Sequence, residues 1–473
     1  MNNRILIVNI ALRPQSIGRY FSVGTGYIAT AMKKAGISFD IYDNELMRKS
    51  DDEVHTFLQK HIYDIYLMGT LITGYKTVKK YAGWIRSINP NAVIIAGNSV
   101  ASSIPEILLR NTEVDIASLG EGDITTIELL HAIDNLGDLH AVRGIAFIDN
   151  DNQFVQTAPR PPIENLDELG FIDYSLFDYD SYIRIAATEF QEPLPVPKEI
   201  FRPIDFSTGR GCVANCTFCY HCFKELKYRK YSIPVVMAFL KKLVEQYQVT
   251  YVNFSDDLTF YSKKQVVEFC RELIRQEIPI AWTATCRANL LQDPEDVEIA
   301  KLMKESGCWQ IGFSLENADS EILRMMNKHI TAEQFQRQTL IFHEAGITTL
   351  TSIIIGYPTE TRETILKTFQ TCADVQMYPS PGFLQPYPGS EMYDYAIAHG
   401  YIKDEIEYIE SLGERKELNV NLTDMSEVEI LRAAIEGLEL CSRTSGKPVT
   451  TNSSYVRMKQ KLLALENKGD GGC

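Results

Sequence analysis

Short, continuously apolar segments alternate along this chain with longer segments in which apolar residues recur at helical spacing. In the first part of the chain this pattern predicts five strands, over Ile5–Ile10, Ser38–Tyr42, Ile65–Thr70, Ala92–Ala96 and Val114–Leu119. Strands that are apolar on both faces and alternate with helices are typical of parallel sheets built from βαβ units. The pattern therefore predicts a doubly wound domain over residues 1–145, with its ligand at the carboxyl ends of the strands.

A second series of alternating elements predicts a partial parallel barrel over residues 201–395. Its six predicted strands are Ile204–Ser207, Val252–Ser255, Ala281–Thr285, Gln310–Leu315, Thr349–Ile355 and Gly382–Gln385. Prolines at both ends of residues 146–200 indicate a linker, and residues 396–473 are predicted to form a helical C-terminal cap. The predicted fold class is therefore α/β, with an N-terminal Rossmann-like domain, a partial (β/α)6 barrel and this cap.

Three cysteines, Cys212, Cys216 and Cys219, follow the first strand of the second series. Three thiolates on one loop can hold three irons of a cubane cluster and leave the fourth iron free, whereas a fully ligated ferredoxin cluster uses four cysteines. A structural zinc site, completed by His221 or Cys222, is the alternative. Disulfides are disfavoured, because cysteines this close in sequence would be strained as pairs.

The Cys-x3-Cys-x2-Cys spacing, with Phe218 just before the last cysteine, resembles the signature of the radical S-adenosylmethionine (SAM) superfamily. This resemblance implies a [4Fe-4S] cluster on Cys212, Cys216 and Cys219, whose open iron binds SAM. One electron from the cluster then cleaves SAM to a 5′-deoxyadenosyl radical. No fourth cysteine is needed in that arrangement.

The polar strand ends of the second series also resemble the SAM contacts of that superfamily. Carboxylates suit the ribose hydroxyls and the amino group of SAM, and arginine suits its carboxylate. The SAM-binding residues implied are Phe218, Tyr220, Ser255, Asp256, Arg287, Glu316 and Gly356. Structural roles are the alternatives: a hydrogen bond for Glu316, packing on the cysteine loop for Arg287 and a helix N-cap for Asp256.

Most of residues 4–130 resemble the cobalamin-binding domain of cobalamin-dependent radical SAM enzymes. The resemblance is carried by glycines and short polar residues at or near the predicted strand ends, where backbone can approach a ligand closely. The chain departs from the family at Asn98, where a second glycine is usual. The cobalamin contacts implied are Gly24, Thr25, Gly26, Thr70, Gly97, Asn98, Ser99, Gly120, Glu121 and Gly122. The alternative is that these glycines only make tight turns.

Charge and hydropathy exclude several classes of partner. The net charge of −15 argues against binding to nucleic acid or to an anionic membrane, which needs clustered Lys and Arg. No apolar segment approaches the ~20 residues that span a bilayer. The first apolar run is short and lacks a cleavage site, and ten cysteines without a secretory signal are typical of a reducing compartment. We therefore expect a cytoplasmic protein.

Together the two resemblances imply a radical SAM enzyme that uses a [4Fe-4S] cluster, SAM and cobalamin. The implied reaction is methylation of an unactivated carbon in a small-molecule or biosynthetic substrate, with electrons from an external flavodoxin- or ferredoxin-type donor. The alternative in the same architecture is a radical dehydration, rearrangement or cyclisation in which the cobalamin-type domain is unused or does not methylate. A zinc-stabilised binding protein would leave the polar strand ends unexplained.

Overall fold

A computed structural model describes residues 3–13, 18–190, 193–220 and 228–469. His221 and Cys222, the candidates for a fourth metal ligand, lie outside the described residues. The chain divides into two compact units. The first unit comprises Met1–Gly211, Tyr220–Thr250 and Asp404–Leu412, and the second comprises Cys212–Cys219, Tyr251–Lys403 and Gly413–Cys473.

The first unit contains a seven-stranded sheet. Its strands are β1 (Ile5–Asn9), β2 (Asp40–Asp43), β3 (Ile65–Gly69), β4 (Val93–Gly97), β5 (Ile116–Ser118), β6 (Ile145–Ile148) and β7 (Phe154–Gln156). They lie in the order β2-β1-β3-β4-β5-β6-β7, with β1 to β5 parallel and β6 and β7 antiparallel. The order of the parallel strands is that of flavodoxin-like sheets, whose ligands bind at the carboxyl ends of the strands.

All five strands predicted for the first domain are present, with small shifts at their ends. The sheet also continues into the predicted linker, because β6 and β7 form a hairpin there. The Asp149 carboxylate accepts hydrogen bonds from the backbone N–H of Asp151 and of Gln153, which closes the turn. Asn152 takes a φ of 60° in the same turn, a conformation that Asn tolerates. The prolines at the linker ends therefore do not keep its first residues out of the sheet.

The helices of the first unit alternate with the strands of this sheet or follow it in sequence. Their bounds are Val23–Lys34, Asn44–Met47, Asp51–Lys60, Tyr75–Ile88, Ser99–Ser102, Pro105–Asn111, Gly122–Asp134, Tyr179–Glu189, Ile233–Tyr247 and Glu405–Ser411. Three short strands complete the unit: β8 (Pro203–Phe206), β9 (Gly209–Arg210) and β10 (Arg229–Lys230). The last two pair in an antiparallel ribbon, which flanks the cysteine-bearing segment in sequence.

The second unit is built on parallel strands separated by helices. The strands are β11 (Tyr251–Phe254), β12 (Ala281–Thr285), β13 (Cys308–Gly312), β14 (Thr348–Leu350), β15 (Ser352–Ile355) and β16 (Ser380–Phe383). Four of them lie side by side in the order β14-β13-β12-β11, and β15 pairs with β16. The predicted fifth strand is thus divided at Thr351. The prediction of an α/β fold with a parallel second series is confirmed.

The helices of the second unit begin at residues that the sequence marks as caps. Their bounds are Lys263–Arg275, Val297–Glu305, Ser320–Met325, Ala332–Glu344, Arg362–Asp374, Glu391–Ala398, Glu427–Ser445 and Ser453–Gly469. Thr331, Thr361 and Ser426 each form a capping box with the third residue of the following helix. No helix among the described residues is long and apolar enough to cross a membrane.

Candidate cofactor sites

The cysteine loop, residues 212–219, is anchored to neighbouring loops of the second unit. The Thr217 backbone N–H donates to the Met326 carbonyl oxygen at 3.1 Å, and its hydroxyl donates to that of Met325 at 2.9 Å. The Thr217 hydroxyl also forms a hydrogen bond with the Tyr357 hydroxyl. Asn327 Nδ2 donates to the Asn215 carbonyl oxygen at 2.8 Å. These contacts hold the loop from the side of strands β13 and β15.

The three cysteines on this loop are free thiols, of which Cys216 is buried and Cys212 and Cys219 are half-buried. Burial raises the pKa of Cys216, which Lys328 and Arg287 act to lower, and it raises the pKa of Cys219 to about 12. Within the part of the chain that the structure describes, no three His, Cys, Asp or Glu side chains are placed to hold a metal ion. The donor chemistry nevertheless fits an iron–sulfur cluster, since three unpaired thiols share one short loop.

Glu316 is a buried carboxylate that is only half satisfied. It follows β13, is 5% exposed, and takes a φ of 64°, which is uncommon for a residue other than glycine. Its Oε1 accepts a hydrogen bond from Lys328 Nζ at 3.0 Å, in a pair with both side chains largely buried. Its Oε2 is buried and has no hydrogen-bond partner among the described residues. A buried acceptor of this kind fits a ligand that donates a hydroxyl or amino proton.

Lys328 and Arg287 supply positive charge beside the cysteine loop. Arg287 Nη2 donates to the Lys328 carbonyl oxygen, and Lys328 Nζ lies 5.9 Å from the centroid of the Phe218 ring. The predicted Arg287, Glu316 and Phe218 are therefore brought together around Lys328. Sequence reasoning did not assign Lys328 a role; its place in the polar loop after the fourth strand of the second series was the available signal.

The remaining predicted SAM contacts lie in different settings. Gly356 is buried, takes a φ of 103° and donates its N–H to Glu360 Oε2 at 2.5 Å. Asp256 is buried and Ser255 is exposed at the end of β11. Tyr220 is half-buried and belongs to the first unit. The Gly356 backbone N–H is thus already used by a protein carboxylate.

That carboxylate belongs to Glu360, a buried acid that the sequence analysis did not single out. Its Oε1 accepts a hydrogen bond from Asn317 Nδ2 at 2.7 Å. Burial raises the pKa of Glu360 to about 7, against the lowering effect of the Gly356 and Asn317 hydrogen bonds. Glu360 thereby ties the turn after β15 to the segment after β13.

The carboxyl edge of the first sheet has open space in front of several glycines. A Cβ added to Gly24, Gly69 or Gly120 would have no heavy atom within 4 Å, and one on Gly97 would meet only Ser118 Cβ at 3.9 Å. The hydroxyl of Thr70, directly after β3, is buried and has no hydrogen-bond partner among the described residues. An open edge with an unsatisfied hydroxyl fits a large ligand such as cobalamin.

At two other positions predicted to contact cobalamin, Gly26 and Gly122, the glycine is explained by close packing of protein side chains. A Cβ on Gly26 would lie 3.0 Å from the side chains of Phe21 and Ile172, and one on Gly122 would lie 2.8 Å from Ile28 Cδ1. These residues allow close approach of neighbouring side chains. Thr25 Oγ1 donates to Asn9 Oδ1 at 3.4 Å.

Asn98 and Ser99 use their side chains locally. Asn98 adopts φ 68° and ψ −159°, a combination that is favourable for glycine alone. Its Oδ1 accepts a hydrogen bond from the Ser99 N–H at 2.6 Å, and Ser99 Oγ accepts one from the Ile72 N–H at 2.8 Å. The backbone requirement gives a physical reason for the glycine that the family usually carries at this position.

Glu121 was also predicted to contact cobalamin, but its side chain belongs to a buried cluster of ion pairs. Its carboxylate accepts hydrogen bonds from Arg210 Nη1 at 2.7 Å, from Arg229 Nη1 at 2.9 and 3.0 Å, and from the Ile163 N–H at 2.7 Å. These partners occupy the carboxylate.

Comparison with protein-family models matches residues 206–372 to the radical SAM superfamily. A methyltransferase of Pyrococcus horikoshii described as uncharacterized is 28% identical over 395 residues, or 80% of this chain and 79% of the relative. The anaerobic magnesium-protoporphyrin IX monomethyl ester cyclase of Rubrivivax gelatinosus is 26% identical over 366 residues, or 76% of this chain. This chain spans 62% of that cyclase, less than two thirds of its length.

Two solved structures share the fold. The radical SAM methyltransferase TsrM of Kitasatospora setae, with cobalamin and a [4Fe-4S] cluster bound, has a TM-score of 0.65 at 16% identity, covering 85% of this chain and 79% of its own. The cobalamin-dependent SAM radical enzyme OxsB, with aqua-cobalamin and SAM bound, has a TM-score of 0.67 at 15% identity, covering 94% and 61%. At such identities the similarity shows the fold alone.

The chain thus carries a radical SAM domain over residues 206–372, as the sequence predicted. Relatives in sequence include proteins named as methyltransferases, and the two solved structures that share the fold are described as binding cobalamin. A [4Fe-4S] cluster and SAM are the cofactors of this superfamily, so the prediction of both is confirmed.

Proposed function

We propose that this enzyme methylates an unactivated carbon of a small-molecule or biosynthetic substrate and that it depends on cobalamin to do so. The observation that carries the proposal is the carboxyl edge of the first sheet. Gly24, Gly69 and Gly120 leave it open, and Thr70 presents a buried hydroxyl without a partner among the described residues.

The residues proposed to hold cobalamin are those that face or flank this open edge. They are Gly24, Thr25, Thr70, Gly97, Asn98, Ser99 and Gly120. Gly26, Glu121 and Gly122 are not proposed to contact cobalamin directly. Side chains of the protein pack against the two glycines, and the Glu121 carboxylate is already hydrogen-bonded within the protein.

In the second unit the cluster ligands proposed are Cys212, Cys216 and Cys219. Glu316 Oε2 is the acceptor proposed for a SAM hydroxyl or amino group, and Lys328 and Arg287 neutralise the carboxylate end of SAM. Phe218, Ser255 and Asp256 complete the proposed SAM site within the second unit. Tyr220 belongs to the first unit, and the Gly356 N–H is already bound to Glu360.

When bound, the cluster supplies one electron for cleavage of SAM and cobalamin supplies a methyl carrier. The protein residues hold these groups and keep water away from them. Glu316 is held in its buried position by the ion pair with Lys328 and orients the ligand from which it accepts a hydrogen bond. An external flavodoxin- or ferredoxin-type donor is proposed as the source of electrons.

The test is anaerobic reconstitution of the full chain with iron, sulfide and hydroxocobalamin, followed by SAM and a reductant. One cobalamin and one four-iron cluster per chain, with both S-adenosylhomocysteine and 5′-deoxyadenosine formed, would support the proposal. A full cluster with no cobalamin retained and no S-adenosylhomocysteine formed would contradict it.

A matched pair of variants makes this test specific for the open edge. Gly69→Leu places a side chain into the space in front of β3, so cobalamin retention should fall at least tenfold while iron content is unchanged. Gly83→Leu is the control, because Gly83 also has no heavy atom within 4 Å but lies on the helix Tyr75–Ile88. Equal retention by the two variants would argue against the proposed site.

A further inference from the structure

Two arginines and two carboxylates form a buried cluster in the first unit, close in sequence to the cysteine loop. Arg210 ends β9, and only Gly211 separates it from Cys212. Arg229 lies opposite Arg210 in the ribbon β9–β10. Glu121 and Asp123 come from the segment after β5. The four side chains are between 3% and 10% exposed.

The hydrogen bonds of this cluster have the geometry of strong charged pairs. Arg210 Nη1 and Nη2 donate to the two oxygens of Asp123 at 2.9 and 3.0 Å, which makes a bidentate pair. Arg210 Nη1 also donates to Glu121, which Arg229 contacts with one nitrogen at 2.9 and 3.0 Å. Arg229 Nη1 donates in addition to the Ile163 carbonyl oxygen at 2.7 Å. The cluster thus joins the ribbon, the segment after β5 and the start of the linker.

Among the described residues, the cluster contains two cations and two anions. Burial acts to lower the pKa of Arg210, but Asp123 and then Glu121 outweigh it and raise that pKa above its usual value. A buried network of this kind is costly to interrupt, because loss of one member leaves an uncompensated charge away from water. The four side chains therefore hold one another in a defined arrangement.

Two tyrosines extend the cluster to one further element, the helix Val23–Lys34. The Arg210 guanidinium lies 5.0 Å from the centroid of the Tyr27 ring, and the Tyr231 hydroxyl donates to the Tyr27 hydroxyl at 2.6 Å. Tyr27 belongs to the helix Val23–Lys34, whose first turn carries Gly24 and Thr25. Tyr231 follows β10 directly. The cluster therefore contacts the helix that carries Gly24 and Thr25, and it includes Glu121 from the segment that follows Gly120.

We propose that Arg210 and Arg229 are positioning residues for the radical reaction. Through Glu121 and Asp123 they fix the ribbon β9–β10, and with it the chain that enters the cysteine loop, on the segment after β5. A displacement of Arg210 moves Cys212, which is only two residues further along the chain. This inference rests on the proposed function in one respect: it takes the cysteine loop to hold the cluster.

The test uses Asp123→Asn, Arg210→Lys and the double variant of the full chain, reconstituted anaerobically with iron and sulfide. The readouts are iron per chain, the rate of 5′-deoxyadenosine formation from SAM with dithionite per cluster, and the change in the EPR spectrum of the cluster when SAM is added. We expect the single variants to load iron, yet to form 5′-deoxyadenosine at least tenfold more slowly per cluster and with a reduced EPR change. The double variant should be no slower than the slower single variant, because the two residues act through each other.

Asp115→Asn is the matched control. Asp115 pairs with Arg86 at 2.6 Å in the same unit, just before β5 instead of after it. Its rate per cluster should equal that of the wild type.

A rate per cluster equal to the wild type in both single variants would overturn the inference, as would a loss of rate that only follows the loss of iron. If Asp123→Asn fails to fold, the same readouts are applied to Arg210→Lys, which keeps the positive charge. If both variants fail to fold, they are applied to Glu121→Gln. A wild-type chain that takes up no cluster would instead contradict the proposed function.

Discussion

At the scale of single residues, two unusual backbone conformations lie at the proposed cofactor sites. Asn98 and Glu316 both take positive φ values although neither is glycine. Such residues cost free energy and are retained where the surrounding structure determines them. Sequence reasoning found both positions through family resemblance, but the backbone conformation that constrains them is visible only in the structure.

The strain at Asn98 leads to a prediction about the order of two variants. Both Asn98→Gly and Asn98→Ala lose the hydrogen bond to Ser99, but only glycine accepts φ 68° and ψ −159° without strain. Asn98→Gly should therefore be more stable than Asn98→Ala, by about 1–3 kcal/mol in the free energy of unfolding. At the exposed helix position Lys241 the order should reverse, with alanine better than glycine by about 0.5–1 kcal/mol. Chemical denaturation of the four variants checks both orders; the same order at both positions would contradict the prediction.

Glu360 should make stability depend on pH. The pKa of Glu360 is about 7 in the folded chain, above the usual 4.5 of a glutamate, so the folded state binds the proton more tightly. The contribution of Glu360 to the free energy of unfolding is greatest below pH 4.5, the usual pKa that applies in the unfolded chain. It is lost as the pH rises through the folded pKa of about 7. The Glu360→Gln variant does not titrate. Glutamine has only one side-chain oxygen, so either the Gly356 N–H or the Asn317 amide then faces another donor, which lowers stability by an amount that does not depend on pH.

The advantage of wild type over Glu360→Gln should therefore shrink between pH 5 and pH 8, by an amount on the order of 3 kcal/mol. Tm measured across this range under anaerobic conditions checks it. Glu321→Gln is the control, because Arg324 lowers the pKa of Glu321, so the advantage of wild type over this variant should stay constant between pH 5 and pH 8. A constant difference between wild type and Glu360→Gln would refute the prediction.

At the scale of elements, close helix packing orders the C-terminal region of the second unit. The helix Glu427–Ser445 packs against Arg362–Asp374, and Gly437 is the point of closest approach to Phe369. A Cβ on Gly437 would lie 2.1 Å from Phe369 Cδ2, which is far inside van der Waals contact. The glycine is therefore required by the neighbouring helix and not by its own.

Gly437→Ala should lower the free energy of unfolding by about 1–3 kcal/mol, since an added methyl in a close-packed interface forces its neighbours to shift. Gly83→Ala is the matched control: it lies in the helix Tyr75–Ile88 with open space around it, and alanine there should stabilise by about 0.5–1 kcal/mol. Thermal unfolding of both variants shows whether each substitution lowers or raises the stability of the protein. A stabilised Gly437→Ala variant would show that the interface is looser than the structure indicates.

At the scale of the whole molecule, the two proposed cofactors depend on different units. The cysteine loop belongs to the second unit, whereas the open edge of the sheet β1–β5 belongs to the first. Glu405–Ser411, from the predicted C-terminal cap, is part of the first unit and reaches it through a 2.8 Å ion pair between Lys79 and Glu410. The units are thus not consecutive stretches of chain.

Cofactor loading should accordingly separate. The triple variant Cys212→Ala, Cys216→Ala, Cys219→Ala should lose all cluster iron and keep hydroxocobalamin at the wild-type level. The Gly69→Leu variant should lose hydroxocobalamin and keep cluster iron at the wild-type level. Metal analysis and the optical spectrum of each reconstituted protein decide this, and loss of both cofactors in either variant would count against separate sites.

The sequence by itself determined the alternation of strands and helices, the cysteine spacing and the strand-end positions of the polar residues. These depend on local periodicity and on short motifs, which one chain displays directly. Only the tertiary structure decided which of those residues face open space. Gly26 and Gly122 turned out to be packed, Glu121 to be paired with Arg210 and Arg229, and Lys328 to pair with Glu316. Such partners are far apart in sequence, so no local pattern specifies them.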